Sequence, residues 1–179
     1  VSEAGQSFRR EAAARLIPLL PENAQKRIVG PATTWRPKDL RQVAKAGEGE
    51  KRLLIAPTNY AGQAYLWARA AETIPGVSAH SLQYYDPAAW HLFQADTHVR
   101  KNVWGHSHLW KKRQANALAD FTHIIVEAGQ PILPDGEWSL RDSDIESLLD
   151  AGLKVALLWL GTDVRLPSKH MELEPFSPY

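Results

Sequence analysis

Residues 51–63 have the sequence KRLLIAPTNYAGQ, and this stretch decides the fold. Its apolar run at residues 53–56 predicts a buried strand, and a loop containing Asn59 and Gly62 follows before a helix-like sequence begins. A short apolar strand that ends in a Gly-bearing loop and opens a helix is typical of the first strand of a nucleotide- or sugar-binding α/β sheet. The backbone N–H groups of Gly62 and Gln63 would then suit a phosphate or carboxylate.

Strand-like and helix-like segments alternate along the chain after this stretch. The further predicted strands are residues 77–83, 98–103, 122–127 and 154–160, and the predicted helices are residues 8–20, 37–46, 62–73, 107–119 and 144–151. Strands that are apolar throughout are typical of a parallel sheet covered on both faces. We therefore predict an α/β fold, a mostly parallel Rossmann-like sheet with helices on both faces, at residues 51–179. A basic helical N-terminal extension would occupy residues 1–50.

The composition is that of an ordinary globular chain, and it excludes several kinds of site. The 179 residues are 44% hydrophobic and 23% charged, which suffices for one domain with a sizeable core. The sequence has no cysteine, which excludes disulfides, iron–sulfur clusters and thiolate zinc sites. No apolar run reaches the roughly 18–20 residues of a membrane span. We expect a cytoplasmic protein, with at most peripheral contact with a membrane.

The charge is spread unevenly, although the net charge is only +1. Residues 1–52 hold 11 Lys and Arg against 6 Asp and Glu, a balance of +5, and the rest of the chain has a balance of −4. Such a leader could contact phosphate, anionic lipid or nucleic acid, or simply be a solvated face. The basic cluster at residues 111–113 lies beside Trp104 and Trp110. It could form an aromatic, basic docking surface, or a polar helix face whose tryptophans pack inward.

Candidate site residues follow three of the predicted strands, whose carboxyl ends share one edge of a parallel sheet. Glu127 ends one strand, where a carboxylate can hold a ligand or take a proton, or serve as a cap or ion-pair partner. Asp163 could act as a base and Arg165 could bind an anion, or the two could pin the turn as an ion pair. The predicted ligand contacts are Asn59, Tyr60, Gly62, Gln63, Thr162 and Arg165.

Several familiar motifs are absent, and one histidine is a further candidate base. The sequence contains no GxGxxG, GK[ST], GxSxG or HExxH pattern. His106 could be a general base near the predicted edge. His98, His106 and His108 could suggest a metal, but no run of carboxylates accompanies them. We predict neither a metal nor a cofactor.

Three segments resemble the N-terminal half of GT-B glycosyltransferases, and the resemblance covers roughly residues 52–179. The segments are LLIAPTNYAGQ at residues 53–63, THIIVEA at residues 122–128 and VALLWLGTDVRLPSKH at residues 155–170. The last is similar to a strand followed by the pattern HGSD(I/V)R-P--H of some such proteins. Leu160 stands at the position of that pattern's histidine, so the role of the histidine is lost or moved.

The resemblance implies the acceptor-binding half of a GT-B-like glycosyltransferase that builds a bacterial glycan or glycoconjugate and is inactive alone. A second Rossmann-like domain or a partner protein would bind the nucleotide sugar. The acceptor would be a glycan or a lipid-linked glycan, Asp163 or His106 would be the base, and nucleic acid is not expected. The alternative is a non-catalytic binding or assembly module. It would dock onto a partner protein, an anionic membrane or nucleic acid through its basic surface.

Overall fold

Five parallel strands form one sheet in the computed structural model, which describes residues 16–29, 34–89, 92–161 and 167–173. The strands are β1 (Lys51–Ala56), β2 (Val77–Tyr85), β3 (Thr97–Arg100), β4 (His123–Glu127) and β5 (Lys154–Leu158). Their order across the sheet is β3-β2-β1-β4-β5, and every neighbouring pair is parallel. The predicted α/β, Rossmann-like fold is confirmed.

The helices lie around this sheet, and both faces of the central strands are covered. They are α1 (Glu22–Val29), α2 (Gln63–Ala71), α3 (Lys101–His106), α4 (His108–Leu118), α5 (Asp142–Asp150) and α6 (Pro167–Leu173). Ala64 and Ala68 of α2 pack with Ile55 on one face. On the other face Leu54 and Trp110 belong to a larger apolar cluster. Because successive strand residues point to opposite faces, burial on both sides requires the continuous apolar run that the sequence shows.

The strand at the centre of the sheet is the one that the opening stretch predicts. β1 pairs with β2 through Leu53 and Ala79, and with β4 through Ala56 and Val126. Leu54 and Ile55 are completely buried. Burying side chains of this size stabilises the fold by about 1.5–3 kcal/mol each, so this strand anchors the loop that follows it.

The predicted helix at residues 37–46 is wrong. Only Asp39–Arg41 form a single 3-10 turn there, and backbone groups beyond the turn bond to side chains of α4. Ala44 N donates to Gln114 Oε1 at 2.9 Å, and Trp110 Nε1 donates to the Gln42 carbonyl at 2.7 Å.

Residues 34–46 thereby share the core of the sheet, with Trp35, Leu40 and Ala44 buried in the larger cluster. A domain boundary at residue 50 remains a prediction. Most of the predicted helix at residues 8–20 lies outside the described residues, and Ile17–Leu19 form a 3-10 turn. Within the described part of the chain, none of the helices is long and apolar enough to cross a bilayer.

Candidate functional site

The carboxyl ends of β1 and β4 form the switch point of the sheet. From β1 the chain proceeds outward through β2 to β3, whereas β4 and β5 extend to the other side. Open parallel sheets bind ligands outside the strand ends at such a point. Asn59 follows β1 and Glu127 ends β4, so the structure places these two predicted residues at neighbouring strand ends, on the same edge.

Glu127 is built into this edge and is completely buried. Thr58, also buried, donates its hydroxyl to Glu127 Oε2 at 2.8 Å. A buried carboxyl group is costly unless such donors satisfy it. The contact therefore ties the loop after β1 to the end of β4. In this arrangement Glu127 positions the switch point and is covered from solvent.

The loop after β1 uses its own backbone donors. Gly62 N donates to the Asn59 carbonyl at 3.2 Å, and Gln63 N donates to the Tyr60 carbonyl. Asn59 accepts from Tyr65 N at 3.2 Å through Oδ1. These N–H groups serve the turn itself in this conformation, so a ligand here would contact other groups of the loop.

Two of the side chains predicted to contact a ligand in this loop are exposed, and a third is buried and stabilises the loop. Asn59 is buried, and its Nδ2 donates to the Gln94 carbonyl at 2.8 Å. Tyr60 is 52% exposed, and Gln63 is also exposed. Of the predicted contacts in this loop, Tyr60 and Gln63 are therefore the exposed side chains.

Among the described residues, the alanines with left-handed backbone follow β1 and β4 at the switch point. Ala61, after β1, has φ 53°, and Ala128, after β4, has φ 57°. A left-handed conformation costs a non-glycine residue about 1–2 kcal/mol. Strain of this kind clusters at sites where the surrounding structure fixes a loop for function, and both strained alanines flank the two predicted loops.

A cleft of about 480 Å³ opens at the ends of β2 and β3 on the same edge. We call it the Trp138 cleft. Its lining includes Asp86, Arg100, Lys101, Asn102, His106 and Trp138. These come from the end of β2, the end of β3, α3 and the loop after β4. His106 is exposed, and this predicted base lies in the lining of the Trp138 cleft, at the carboxyl-end edge of the sheet.

An aromatic row connects the Trp138 cleft to the loop after β1. Tyr84 stacks on Trp104 with ring centroids 4.2 Å apart, and Trp104 meets Trp138 edge to face at 5.2 Å. Lys101 Nζ lies 4.6 Å from the centre of the Trp138 ring. Burial raises the pKa of Tyr84 to about 12, and the nearby phenol of Tyr60 adds to the rise. Tyr84 is therefore a neutral phenol at physiological pH, between the switch point and the cleft.

Residues before β1 hold the inner wall of the Trp138 cleft. Asn102 Nδ2 donates to the Thr34 carbonyl at 2.6 Å, and Arg100 Nη1 lies 3.5 Å from Asp39 Oδ2. The segment predicted as a separate extension thus supports the site. No pattern in the sequence indicated this, nor that Trp138 would reach α3, because both contacts join residues far apart in the chain.

The third predicted cluster lies outside the described residues. Thr162, Asp163 and Arg165 fall in the range 162–166, and their roles remain predictions. The end of β5 is described, and it meets the end of β4. A Cβ atom added to Gly129, which has φ 60°, would lie 2.6 Å from the ring of Trp159. Trp159, just after β5, therefore lies beside the switch point.

The two tryptophans that the sequence places beside the basic cluster at residues 111–113 are not exposed. Trp104 and Trp110 are completely buried, and Trp110 N is capped by the Ser107 hydroxyl at 3.2 Å. Both tryptophans pack inward, which agrees with the interpretation of this cluster as the polar face of a helix.

Comparison of this chain with protein-family models, curated proteins and solved structures finds no match. A function for this edge of the sheet must therefore be inferred from the residues that form it.

Proposed function

We propose that this chain is the acceptor-binding half of a GT-B-like glycosyltransferase that builds a bacterial glycan or glycoconjugate. One observation supports this most. The Trp138 cleft and the switch point open on the same edge of a parallel sheet with the order β3-β2-β1-β4-β5. Ligands of such sheets bind along that edge. The sequence resemblance of residues 52–179 supplies the reaction class.

In the proposed reaction the acceptor lies on this edge and a nucleotide sugar is held by a second domain or a partner protein. The acceptor oxygen forms a bond to the anomeric carbon while the bond from that carbon to the diphosphate oxygen breaks. The proton of the acceptor hydroxyl passes to a base, for which His106 and Asp163 are the candidates. Arg165 binds an anionic group as a two-pronged fork, and Glu127 fixes the loops through Thr58.

The first test separates a half-enzyme from a complete one. The chain is incubated with nucleotide sugars, and released nucleoside diphosphate is measured with and without glycan acceptors. We expect no release above the background without protein. Robust transfer or hydrolysis by this chain alone would overturn the proposal of a half-enzyme.

The second test concerns the acceptor. Melting temperature is measured with bacterial glycans, and a ligand that binds the native state must raise it. We expect the shift to disappear in His106→Ala and in Asp163→Ala and to persist in His108→Ala. The last variant removes a neighbouring exposed histidine that begins α4 and is not among the cleft-lining residues. A full shift in the first two variants would contradict the roles given to these residues.

A further inference from the structure

We propose that the Trp138 cleft is a subsite for one neutral sugar ring, recognised through its hydroxyl groups and its apolar face. This inference rests on the proposed function and specifies the acceptor. The cleft volume of about 480 Å³ lies in the range of small-molecule sites.

The charged groups of the cleft are mixed in sign. Lys101 and Arg100 supply donors, and His106 adds a ring nitrogen. Asp86 supplies a carboxylate; its Oδ1 already accepts from Ala88 N at 2.9 Å, which leaves capacity on the carboxylate for a further donor. Hydroxyl groups both donate and accept, so they can satisfy both kinds of group. A strongly anionic ligand would meet Asp86, and a cationic one would meet Lys101 and Arg100.

Arg100 is already partly committed, which further lowers the positive charge that the cleft can offer. Its Nη1 lies 3.5 Å from Asp39 Oδ2, and the guanidinium is mostly buried. Among the lining residues that the structure describes, Lys101 then supplies the ammonium that a ligand would meet. This balance favours a neutral ligand over a phosphate or a carboxylate.

Trp138 gives the cleft its apolar surface. The residue is 37% exposed, and its ring packs edge to face against Trp104, with ring centroids 5.2 Å apart. The ring also packs against Gly105, where an added Cβ would lie 3.4 Å from ring atom Cζ2. An exposed indole held in this way offers a rigid apolar surface to the C–H groups of a sugar. It also holds the Lys101 ammonium over its ring as a positioned donor.

The test is fluorine NMR of protein labelled with 5-fluorotryptophan. The chain has seven tryptophans, so each indole contributes one fluorine resonance. Trp138→Phe assigns the signal of interest, and Trp159→Phe assigns a control indole on the same edge beside Gly129. The probes are the methyl glycosides of glucose, galactose, mannose and N-acetylglucosamine, with glucuronate, glucosamine and glucose 6-phosphate as charged counterparts. We expect at least one neutral glycoside to shift the Trp138 signal saturably and to leave the Trp159 signal in place.

Variants of the cleft-lining residues measure how much each side chain contributes to the affinity for the glycoside. We expect Lys101→Met to weaken the neutral glycoside about tenfold, the usual effect of losing a hydrogen bond from a charged donor. Trp138→Ala should abolish the binding seen in melting-temperature shifts. If Trp138→Ala fails to fold, Lys101→Met and Asp86→Asn decide, since the fluorine signals of the seven tryptophans show whether these variants remain native.

The inference is overturned if no neutral glycoside shifts the Trp138 signal, or if a charged counterpart binds as tightly as the best neutral one. Its failure is distinct from failure of the proposed function. Glycan transfer by the chain with its donor half that survives Trp138→Ala would remove the subsite and keep the function. Sugar binding at Trp138 without any transfer by the completed enzyme would keep the subsite and remove the function.

Discussion

Thr58→Val removes one hydroxyl at the switch point and should destabilise the protein clearly. Valine has nearly the same shape as threonine, so the main change is loss of the 2.8 Å bond to Glu127 Oε2. That oxygen belongs to a completely buried side chain. Leaving a buried polar group without this donor costs about 1–3 kcal/mol. For a chain of this length, each kcal/mol lowers the melting temperature by about 2–4 °C.

The measurement is urea unfolding followed by tryptophan fluorescence and by circular dichroism, with coincident transitions as the test of two-state behaviour. Thr73→Val is the matched control, because the Thr73 hydroxyl donates to the Ala70 carbonyl at 2.7 Å in an exposed position. We expect the control to stay within about 0.5 kcal/mol of the parent protein. A Thr58→Val effect no larger than that of the control would refute the role of this bond.

A double-mutant cycle gives the coupling directly. Thr58→Val and Glu127→Leu are measured singly and together. Residues in direct contact show interaction energies of about 0.5–3 kcal/mol. We expect the double variant to be more stable than the sum of the single effects predicts, because it removes both partners of the buried bond. Strict additivity would show that the two side chains do not stabilise one another.

Three further predictions concern backbone, pH and ionisation. Gly129→Ala should destabilise more than Gly136→Ala, because both glycines have positive φ but only the first would place a Cβ against Trp159; equal melting temperatures would contradict the close approach. Burial lowers the pKa of His80 below its ordinary 6.5, so the unfolded chain binds the proton more readily. The free energy of unfolding should therefore fall as pH drops below 6.5, by at most about 1.4 kcal/mol per pH unit from His80. If the free energy of unfolding of His80→Phe, measured in urea, depends on pH as steeply as that of the parent, this prediction is wrong. Tyr84 should ionise only near pH 12, so spectrophotometric titration of Tyr84→Phe should lack the last phenol transition, and loss of an earlier one would contradict its burial.

The fold could be predicted because its signals are local. The central strands β1 and β4 contain continuous apolar runs at residues 53–56 and 124–126, and burial on both faces of a parallel sheet requires that pattern. The strand end at Glu127 was also evident from neighbouring residues. By contrast, the segment at residues 37–46 has a helix-like sequence whose backbone groups bond instead to Gln114 and Trp110 of α4. A local pattern carries no information about such distant partners.

The site could be predicted only in part for the same reason. Position at a strand end predicted that the loops at Asn59 and Glu127 would meet on one edge. It did not predict that Asn59 supports the loop or that Glu127 is buried by Thr58. The Trp138 cleft depends on a loop residue that packs against Gly105 across the sheet edge, and a single sequence gives no sign of such packing.

The aromatic row has a consequence for experiment. Trp104 lies within contact distance of both Tyr84 and Trp138, so the electronic transitions of neighbouring rings couple and give circular dichroism bands that isolated rings lack. The molecule thus carries an intrinsic optical reporter that begins at the loop after β1 and ends in the cleft. A ligand that moves the indole of Trp138 by even a fraction of its width would change the circular dichroism spectrum without any added label.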